Sequence, residues 1–442
     1  MRKGKWERGQ ALVLIVLAIV GIFGFAALAV DAGRLFSERR RAQNAADAAA
    51  LAAAFSKTYS GSNNPDQAVL NSLSQNGYTS DTNLAVDASL PEDVQYFNPP
   101  NRAPYNDPSS AEYADRDNYF QVIIHKKVDQ VFSQFIFPDV LNVQVEAISH
   151  IKPSGAVSGG NAMTAMGRDT CQGIRWDGGM LTEIEGGDIF SNSSGTGNGN
   201  CHSGIADGSS GIIRVATPNA VVLAGDWRNQ AGAEVLPGVT PNAAPQVFDP
   251  INPPYCDNLP EGAIDTTNHI IQVGKHLNGV RLNGNDAWTM ESGLHCFYGD
   301  FEVTNGKLTG NGVLIVMMPT LSGNSTSVKI TGGDIKLYAP TDLKDLSGQQ
   351  WNGMLFFMPY ENGGALDIGG NSGSTYSGTF WAPGPNETDN TPKCDYGGKN
   401  ESIGIQSSIM CYTIGISGNS NITIKYQEGQ NYRPNPKISL NQ

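Results

Sequence analysis

The sequence predicts an N-terminal transmembrane helix and stalk with a small α+β domain, followed by a large all-β C-terminal region. Residues 11–30 are an uninterrupted apolar run, and all six cysteines lie in the C-terminal region. The 52 glycines and 24 prolines accompany only 16% charged residues, a composition typical of short strands joined by many turns. A chain of 442 residues also exceeds the usual size of one domain, so two units are expected.

The first thirty residues are predicted to anchor the chain in a membrane. Residues 1–10 form a basic tail, and residues 11–30, from Ala11 to Val30, carry no charge. As a helix, these twenty positions extend about 30 Å, which matches one bilayer core. A cleaved signal peptide is the alternative. Its apolar region is usually shorter, however, and the residues that follow favour continued helix rather than a cleavage site.

The charges that flank the span do not orient it, because four Lys or Arg residues precede it and four follow within eleven positions. Cysteine usage is more informative, since an even number of cysteines outside the membrane fits disulfides in an oxidising compartment. The N-terminus is therefore predicted to be cytoplasmic and the C-terminal region extracytoplasmic. The disulfide candidates are Cys171, Cys201, Cys256, Cys296, Cys394 and Cys411, and their simplest pairing is sequential: 171–201, 256–296 and 394–411.

A stalk helix and a small α+β domain are predicted over residues 31–152. Helix-favouring residues continue from Asp31 to Phe55, so span and stalk together make a rod of about 45 residues, roughly 68 Å long. Its alanine-rich face is expected to lie against the next segment or a partner. A second helix is predicted at Ala68–Tyr78, and alternating apolar residues predict strands at Phe120–Val128 and Asn142–Ile151.

The N-terminal region resembles a known family over residues 8–55, and more loosely to residue 152. The residues that carry the resemblance are Gly9, Asp31, Gly33, Arg34, Gln43, Asn44 and Asp47. They are similar to the N-terminal domain of TadG-like proteins of the Flp (Tad) pilus-assembly system. The resemblance implies a single-pass protein of the bacterial cytoplasmic membrane, which contacts lipid and meets other pilus-assembly or envelope proteins through its span and stalk.

One position departs from the prepilin-like members of that system. Those substrates carry a Glu five residues after the glycine of the cleavage site, whereas Leu14 stands at that distance from Gly9. A permanent anchor is therefore expected rather than a processed pilus subunit.

The C-terminal region is predicted to be a Gly/Asn-rich β-solenoid over residues 167–442, after a linker at residues 153–166. The phrase Gly-Gly-Asp-Ile occurs at 186–189 and at 332–335, among strand-like runs that Gly, Asn and Ser separate. Irregular repeats of this kind favour a right-handed parallel β-helix, and a β-sandwich is the alternative. The region also resembles the β-helical part of some bacterial pilus-assembly proteins.

No enzyme motif, cofactor motif or metal motif is present, so we expect no catalytic activity, no cofactor and no metal. The net charge of −13 disfavours nucleic acid as a partner. Asp188, Asp334 and Lys336 are the candidates for sugar chemistry on a β-helix, although turn or edge roles are favoured. His202 and His295, each beside a cysteine, are expected to be surface histidines rather than metal ligands.

Aromatic residues gather toward the C-terminal end, where core packing is favoured over stacking on a sugar. They are Trp351, Phe356, Phe357, Tyr360, Tyr376, Phe380 and Trp381. The favoured function is a non-catalytic, membrane-anchored component of a Flp/Tad-type pilus-assembly or cell-envelope apparatus. The alternatives are a surface adhesin or glycan-binding protein, for which a glycan is the candidate ligand, and a β-helix carbohydrate-active enzyme.

Overall fold

The computed structural model describes most of the chain and divides it into two compact units. Unit 1 comprises Met1–Ser154 and Pro436–Gln442, and unit 2 comprises Gly155–Asn435. The described residues are 7–59, 64–78, 92–132, 141–152, 155–177, 181–195, 201–206, 211–216, 218–230, 232–371, 373–385, 393–398, 403–406, 408–418 and 421–441.

Unit 1 is a long helix with an antiparallel sheet. Helix α1 runs without a break from Glu7 to Tyr59, so the predicted rod of span and stalk is one helix that extends beyond residues 11–55 at both ends. The sheet order is β1, β2, β3 and then the C-terminal strand, and all of its pairs are antiparallel. The remaining elements are α2 (Pro65–Gln75), β1 (Glu92–Phe97), α3 (Ala111–Ala114), a 3-10 turn (Arg116–Asn118), β2 (Tyr119–Val128), β3 (Leu141–Lys152) and the C-terminal strand (Lys437–Asn441).

The alanine-rich face of α1 packs in the core of unit 1. Val122 and Ile124 of β2 and Val143 and Val145 of β3 belong to the same buried cluster, as the alternation in those strands predicted. Alanine side chains let the helix backbone come close to the sheet, and the Ser149 hydroxyl donates to the carbonyl of Ala50 at 2.6 Å. The fully buried alanines are Ala42, Ala45, Ala46, Ala49, Ala50, Ala53 and Ala54.

Unit 2 is rich in β-structure, and three parallel sheets can be traced through its described residues. Sheet I has, in spatial order, Val239–Thr240, Val221–Leu223, Asp188–Ser191, Asn161–Ala165, Ile409–Cys411, Thr379–Ala382, Met354–Phe357, Val313–Met317, Gly293–Phe297 and Gly274–His276. Sheet II has Trp227–Asn229, Gly204–Ala206, Ile174–Asp177, Ile414–Gly418, Cys394–Gly398, Leu366–Ile368, Val328–Ile330, Phe301–Val303 and Val280–Leu282. Sheet III has Glu234–Leu236, Ile212–Val215, Leu181–Glu185, Ile422–Lys425, Ile403–Gln406, Thr375–Ser377, Asp334–Tyr338, Lys307–Asn311, Ala287–Met290, Ile270–Ile271 and, antiparallel at the edge, Ile264–Asp265.

The chain visits sheets I, II and III in turn, and we call one such set of three strands a rung. The first rung, within residues 161–185, pairs in parallel with the last rung, within residues 409–425. The chain therefore enters and leaves unit 2 in the middle of the stack, and two arms of rungs extend from there. The alternative β-sandwich is wrong, because sandwiches are built from antiparallel sheets.

One long segment joins the outer ends of the two arms. This strap, residues 241–263, contributes Phe248, Ile251 and Cys256 to a second apolar cluster, which also contains Leu294 and Val316 of sheet I. Side chains of sheet I thus pack on both faces. One face lines the main core of unit 2, and the strap belongs to the cluster on the other face.

The predicted domain boundaries differ from the structure at both ends of the C-terminal region. Asn161–Ala165, inside the predicted linker 153–166, is a fully buried strand of sheet I. Lys437–Asn441, inside the predicted solenoid 167–442, pairs with β3 and belongs to unit 1. The physical reason is that each segment pairs with a strand distant in sequence: Asn161–Ala165 with Ile409–Cys411, and Lys437–Asn441 with β3. Unit 2 is therefore inserted into unit 1 rather than appended to it.

Candidate functional site

The first part of α1 presents an apolar surface that none of the described residues covers. Its most apolar 18-residue window has a mean hydropathy of 3.0, and none of that window is buried. Leu12 is 67% exposed, Phe23 71% and Phe25 78%. By length and composition the helix can cross a membrane.

Asp31 ends this apolar surface, and its carboxylate is inside the protein. Only 4% of the residue is exposed, and its two oxygens accept the backbone N–H groups of Val131 and Phe132, each at 3.0 Å. Two such bonds stabilise the charged form of a carboxylate away from bulk water. Asp31 therefore ties the segment after β2 to the first turn of the stalk.

The other residues that carry the family resemblance differ in their surroundings. Gln43 is structural, because its amide nitrogen donates to Asp47 at 2.8 Å and to the carbonyl of Glu146 in β3 at 3.0 Å. Gly33, Arg34 and Asn44 are exposed on α1, where they are available to lipid or to a partner. Gly9 lies in the first turns of α1, and the structure does not describe its environment.

Three disulfides join the cysteines in sequential order. Cys171 pairs with Cys201, Cys256 with Cys296, and Cys394 with Cys411. The second of these attaches the strap to sheet I, because Cys256 lies in the strap and Cys296 in Gly293–Phe297. All three lie in unit 2, where no free cysteine remains.

The histidines beside cysteines are not surface residues, which corrects the expectation for His202 and His295. His295 is fully buried and His202 is 8% exposed, with its Nδ1 2.9 Å from Asp226. The reason is strand alternation: because Cys296 faces the strap, its neighbour His295 must face the core. Within the part of the chain that the structure describes, no three His, Cys, Asp or Glu residues are grouped to hold a metal ion.

His295 belongs to a short stack of rings inside unit 2. Its Nδ1 lies 3.4 Å from Nε2 of His276, and both rings stack near Phe297. Burial, reinforced by the neighbouring His295, lowers the pKa of His276 from 6.5 to about 4. Burial also lowers the pKa of His295. The fold therefore holds both rings neutral.

We expect unit 2 to lose stability as the pH falls from about 6.5 to about 4. Across this window the unfolded His276 binds a proton that the folded one does not, so acid favours unfolding. The contribution should be about 2 kcal/mol after allowance for partial screening. The difference in thermal midpoint between pH 7 and pH 4.5 should shrink in His276→Phe, which extends the aromatic stack without a titrating group. An unchanged difference would contradict this explanation.

The repeated Gly-Gly-Asp-Ile motif does not build a shared site. Asp188 lies in sheet I, where its Oδ1 accepts the backbone N–H of Ala220 at 2.8 Å, whereas Asp334 lies in sheet III. Lys336 follows Asp334 on the same strand. The bond to Ala220 gives Asp188 the structural role that was favoured for it.

Sequence reasoning missed a pair of carboxylates on sheet II. Asp367 and Asp395 occupy paired positions on neighbouring parallel strands. Burial, and after it the negative charge of Asp395, raises the pKa of Asp367. Burial also raises the pKa of Asp395, while its bond with Ser417 opposes the shift. The available signal was the matching pattern of Leu366-Asp-Ile and Cys394-Asp-Tyr, which places each Asp outward between two inward residues.

The C-terminal aromatic cluster is mostly core, as the sequence analysis favoured. Trp351 is fully buried and stacks on Tyr432, and Trp381 is only 2% exposed. Phe356, Phe357, Tyr376 and Phe380 are buried as well, whereas Tyr360 is 61% exposed. Neither tryptophan presents a face on which a sugar could stack.

Together these features define a class of protein. An apolar helix long enough to serve as an anchor continues into an α+β unit, and a disulfide-bonded unit of parallel β-sheets is inserted into the sequence of that α+β unit. The comparison with known families narrows this class. Residues 9–56 match the family described as "Putative Flp pilus-assembly TadE/G-like". The match covers the apolar part of α1 and the alanine face, and it agrees with the resemblance found in the sequence. No curated protein and no solved structure matches the chain.

Proposed function

We propose that this protein is a non-catalytic, membrane-anchored component of a Flp/Tad-type pilus-assembly or cell-envelope apparatus in the bacterial cytoplasmic membrane. The observation that carries the proposal is the coincidence of the family match at residues 9–56 with α1. This helix leaves its most apolar window unburied and packs its alanines on a sheet. One helix therefore serves both as an anchor and as the support of a folded unit.

The proposed topology places the N-terminus in the cytoplasm, and it places unit 2 and the part of unit 1 that follows the span outside the cytoplasm. Three disulfides in unit 2 support this orientation, because disulfides persist in oxidising compartments. Arg34 and the exposed arginines 39–41 would then face anionic head groups or partner proteins on the outer side. Protease added to intact spheroplasts should remove unit 2 and the part of unit 1 that follows the span. Their survival would contradict the orientation.

Unit 2 is proposed to be a right-handed parallel β-helix that acts as a scaffold or binding surface. Parallel pairing through three sheets visited in turn supports the β-helix. Right-handed crossovers are the strong rule for parallel strands, and they support the hand. Burial of Trp351 and Trp381 removes the residues on which a glycan-binding alternative relied. Any glycan surface would need other residues, such as exposed Tyr360.

The enzyme alternative has one supporting observation, the adjacent carboxylates Asp367 and Asp395. Paired carboxylates on a sheet face can act as acid and base on a glycosidic bond. Cleavage of a polysaccharide by the purified protein, abolished in Asp395→Asn but retained in Asp334→Asn, would replace the non-catalytic proposal.

An arginine in the middle of the apolar part should weaken anchoring and function. Val20→Arg places a charge near the centre of the span at a cost of about 2.5–3.5 kcal/mol, while Val20→Leu is the matched control. In a host with this pilus system, deletion should reduce piliation. Val20→Leu should restore piliation. Val20→Arg should restore less of it, and alkaline carbonate should extract a larger share of this variant from the membrane. Normal piliation in the deletion strain would refute the proposed function.

A further inference from the structure

Strand β2 runs along α1 toward the apolar part of that helix, and the segment after β2, Val131 and Phe132, lies where the apolar part ends. Near the far end of α1, Nζ of Lys57 donates to the carbonyl of Asp117, just before β2, at 2.5 Å. Further down, Lys126 and Glu38 form an ion pair at 3.0 Å. At the end of this path, Val131 and Phe132 reach Asp31.

Asp31 sets the level of this segment relative to the apolar surface. It follows Val30 directly, so it stands only about 1.5 Å along the helix axis from the last residue of the span. The backbone N–H groups of Val131 and Phe132 are within 3.0 Å of its carboxylate. The head-group region on each side of a bilayer core is roughly 5–7 Å deep. Both side chains therefore stand within that layer if the span is inserted.

The side chains at this level are apolar and unburied. Val131 is 37% exposed and Phe132 is 46% exposed, although both belong to a unit with a well-formed core of its own. Apolar side chains that a soluble unit leaves on its surface gain free energy when they enter the interfacial layer of a bilayer. Their backbone bonds to Asp31, which follows Val30 directly, place them beside the end of the exposed apolar surface of α1.

We propose that Val131 and Phe132 form a second contact of this protein with the lipid bilayer, on the side where α1 leaves it. The inference rests on the proposed membrane span. Asp31 holds the contact at the required depth, and its two N–H bonds allow a carboxylate to stand at the hydrocarbon boundary. A single helix leaves a unit free to tilt, whereas two contacts fix the tilt of unit 1 on the membrane surface.

Quenching by spin-labelled lipids tests this proposal on the full chain in lipid nanodiscs. Because the described cysteines are all paired, a fluorophore can be attached to one added cysteine: Phe132→Cys, Val20→Cys in the span, or Asp117→Cys as the control. The Asp117 side chain is 80% exposed, and it lies beside Lys57, about 39 Å along α1 from Asp31. Lipids labelled near the head group and lipids labelled at the chain end provide two depths.

We expect the lipid labelled near the head group to quench the fluorophore at position 132, and the lipid labelled at the chain end to quench it at position 20. Neither lipid should quench the fluorophore at position 117. Quenching at 20 without quenching at 132 would overturn the second contact and leave the span intact. No quenching at any position would overturn the span and the inference together. A label at 132 shielded from both lipid and aqueous quenchers would show a protein occupant, which also overturns it.

Asp31 is tested as the positioning residue in the same system. Asp31→Ala removes both acceptors and should reduce shallow quenching at position 132, while quenching at position 20 persists. Asp31→Asn keeps one carbonyl acceptor and should give an intermediate result. Unchanged quenching at 132 in Asp31→Ala would refute the role of Asp31.

Discussion

Replacing Cys256 and Cys296 by serine is expected to cost the folded state about 4 kcal/mol. The disulfide closes a loop with a sequence separation of 40, and the loop-closure entropy of the unfolded chain accounts for a loss of that size. The native strap would then be held by weaker bonds. Asn192 exchanges two hydrogen bonds with the backbone of Gln246, and Asp345 accepts the N–H of Tyr255.

The matched control is the double replacement of Cys171 and Cys201, whose separation of 30 gives a similar entropic loss. Urea unfolding of the full chain should therefore show comparable shifts in both variants. Limited proteolysis separates them, because cleavage within residues 241–263 should rise only in the Cys256→Ser and Cys296→Ser variant. Equal cleavage in the two variants would show that the disulfide does not secure the strap.

Asn362→Ala is expected to destabilise unit 2 by about 4 kcal/mol. The residue is fully buried, and its Oδ1 accepts the backbone N–H groups of Thr326 and Gly364 at 3.0 and 3.1 Å. Its Nδ2 donates to the carbonyl of Met317 at 2.9 Å and to the Thr326 hydroxyl at 3.0 Å. Each buried group left without a partner costs roughly 1–3 kcal/mol, so the loss of this one amide is large.

Asn352→Ala is the control for this effect. Asn352 is half-buried, and its Oδ1 accepts a single bond, from the backbone N–H of Leu343 at 2.8 Å. Its replacement should cost about 1 kcal/mol. Thermal or urea unfolding measures both variants. A similar loss in the two would mean that the bonds of Asn362 are not individually important.

Local patterns predicted α1, β2 and β3 of unit 1, and they predicted α2 three residues too late, at Ala68–Tyr78 instead of Pro65–Gln75. The apolar run and the helix-favouring residues after it predicted one rod, and the alternation in β2 and β3 predicted their buried faces. Each of these features depends on residues a few positions apart, so it can be recognised without the fold. The C-terminal strand could not be assigned in this way, because β3, its partner, is more than 280 residues earlier in the chain.

The candidate residues of unit 2 show the same limit. The GGDI repeat is a local signal, but Asp188 and Asp334 lie in different sheets. His295 and Cys296 are adjacent in sequence and yet face opposite environments, because one side of sheet I lines the core and the other packs in the cluster that contains the strap. Asp367 and Asp395 are 28 positions apart and become neighbours through parallel pairing.

The order of amino acids alone is enough to define the apolar anchor, the stalk, the family resemblance and the β-rich, cysteine-containing region. The resemblance rests on particular residues of the N-terminal region, whereas the anchor, the stalk and the β-rich region follow from composition and short-range periodicity, which act before any tertiary contact forms. The tertiary structure decides the rest: the return of the last strand to unit 1, the joining of the two arms in mid-stack, the route of the strap and the level at which Asp31 holds Val131 and Phe132. Those features depend on which distant segments pair, and pairing is chosen by the packing and hydrogen bonding of the whole chain.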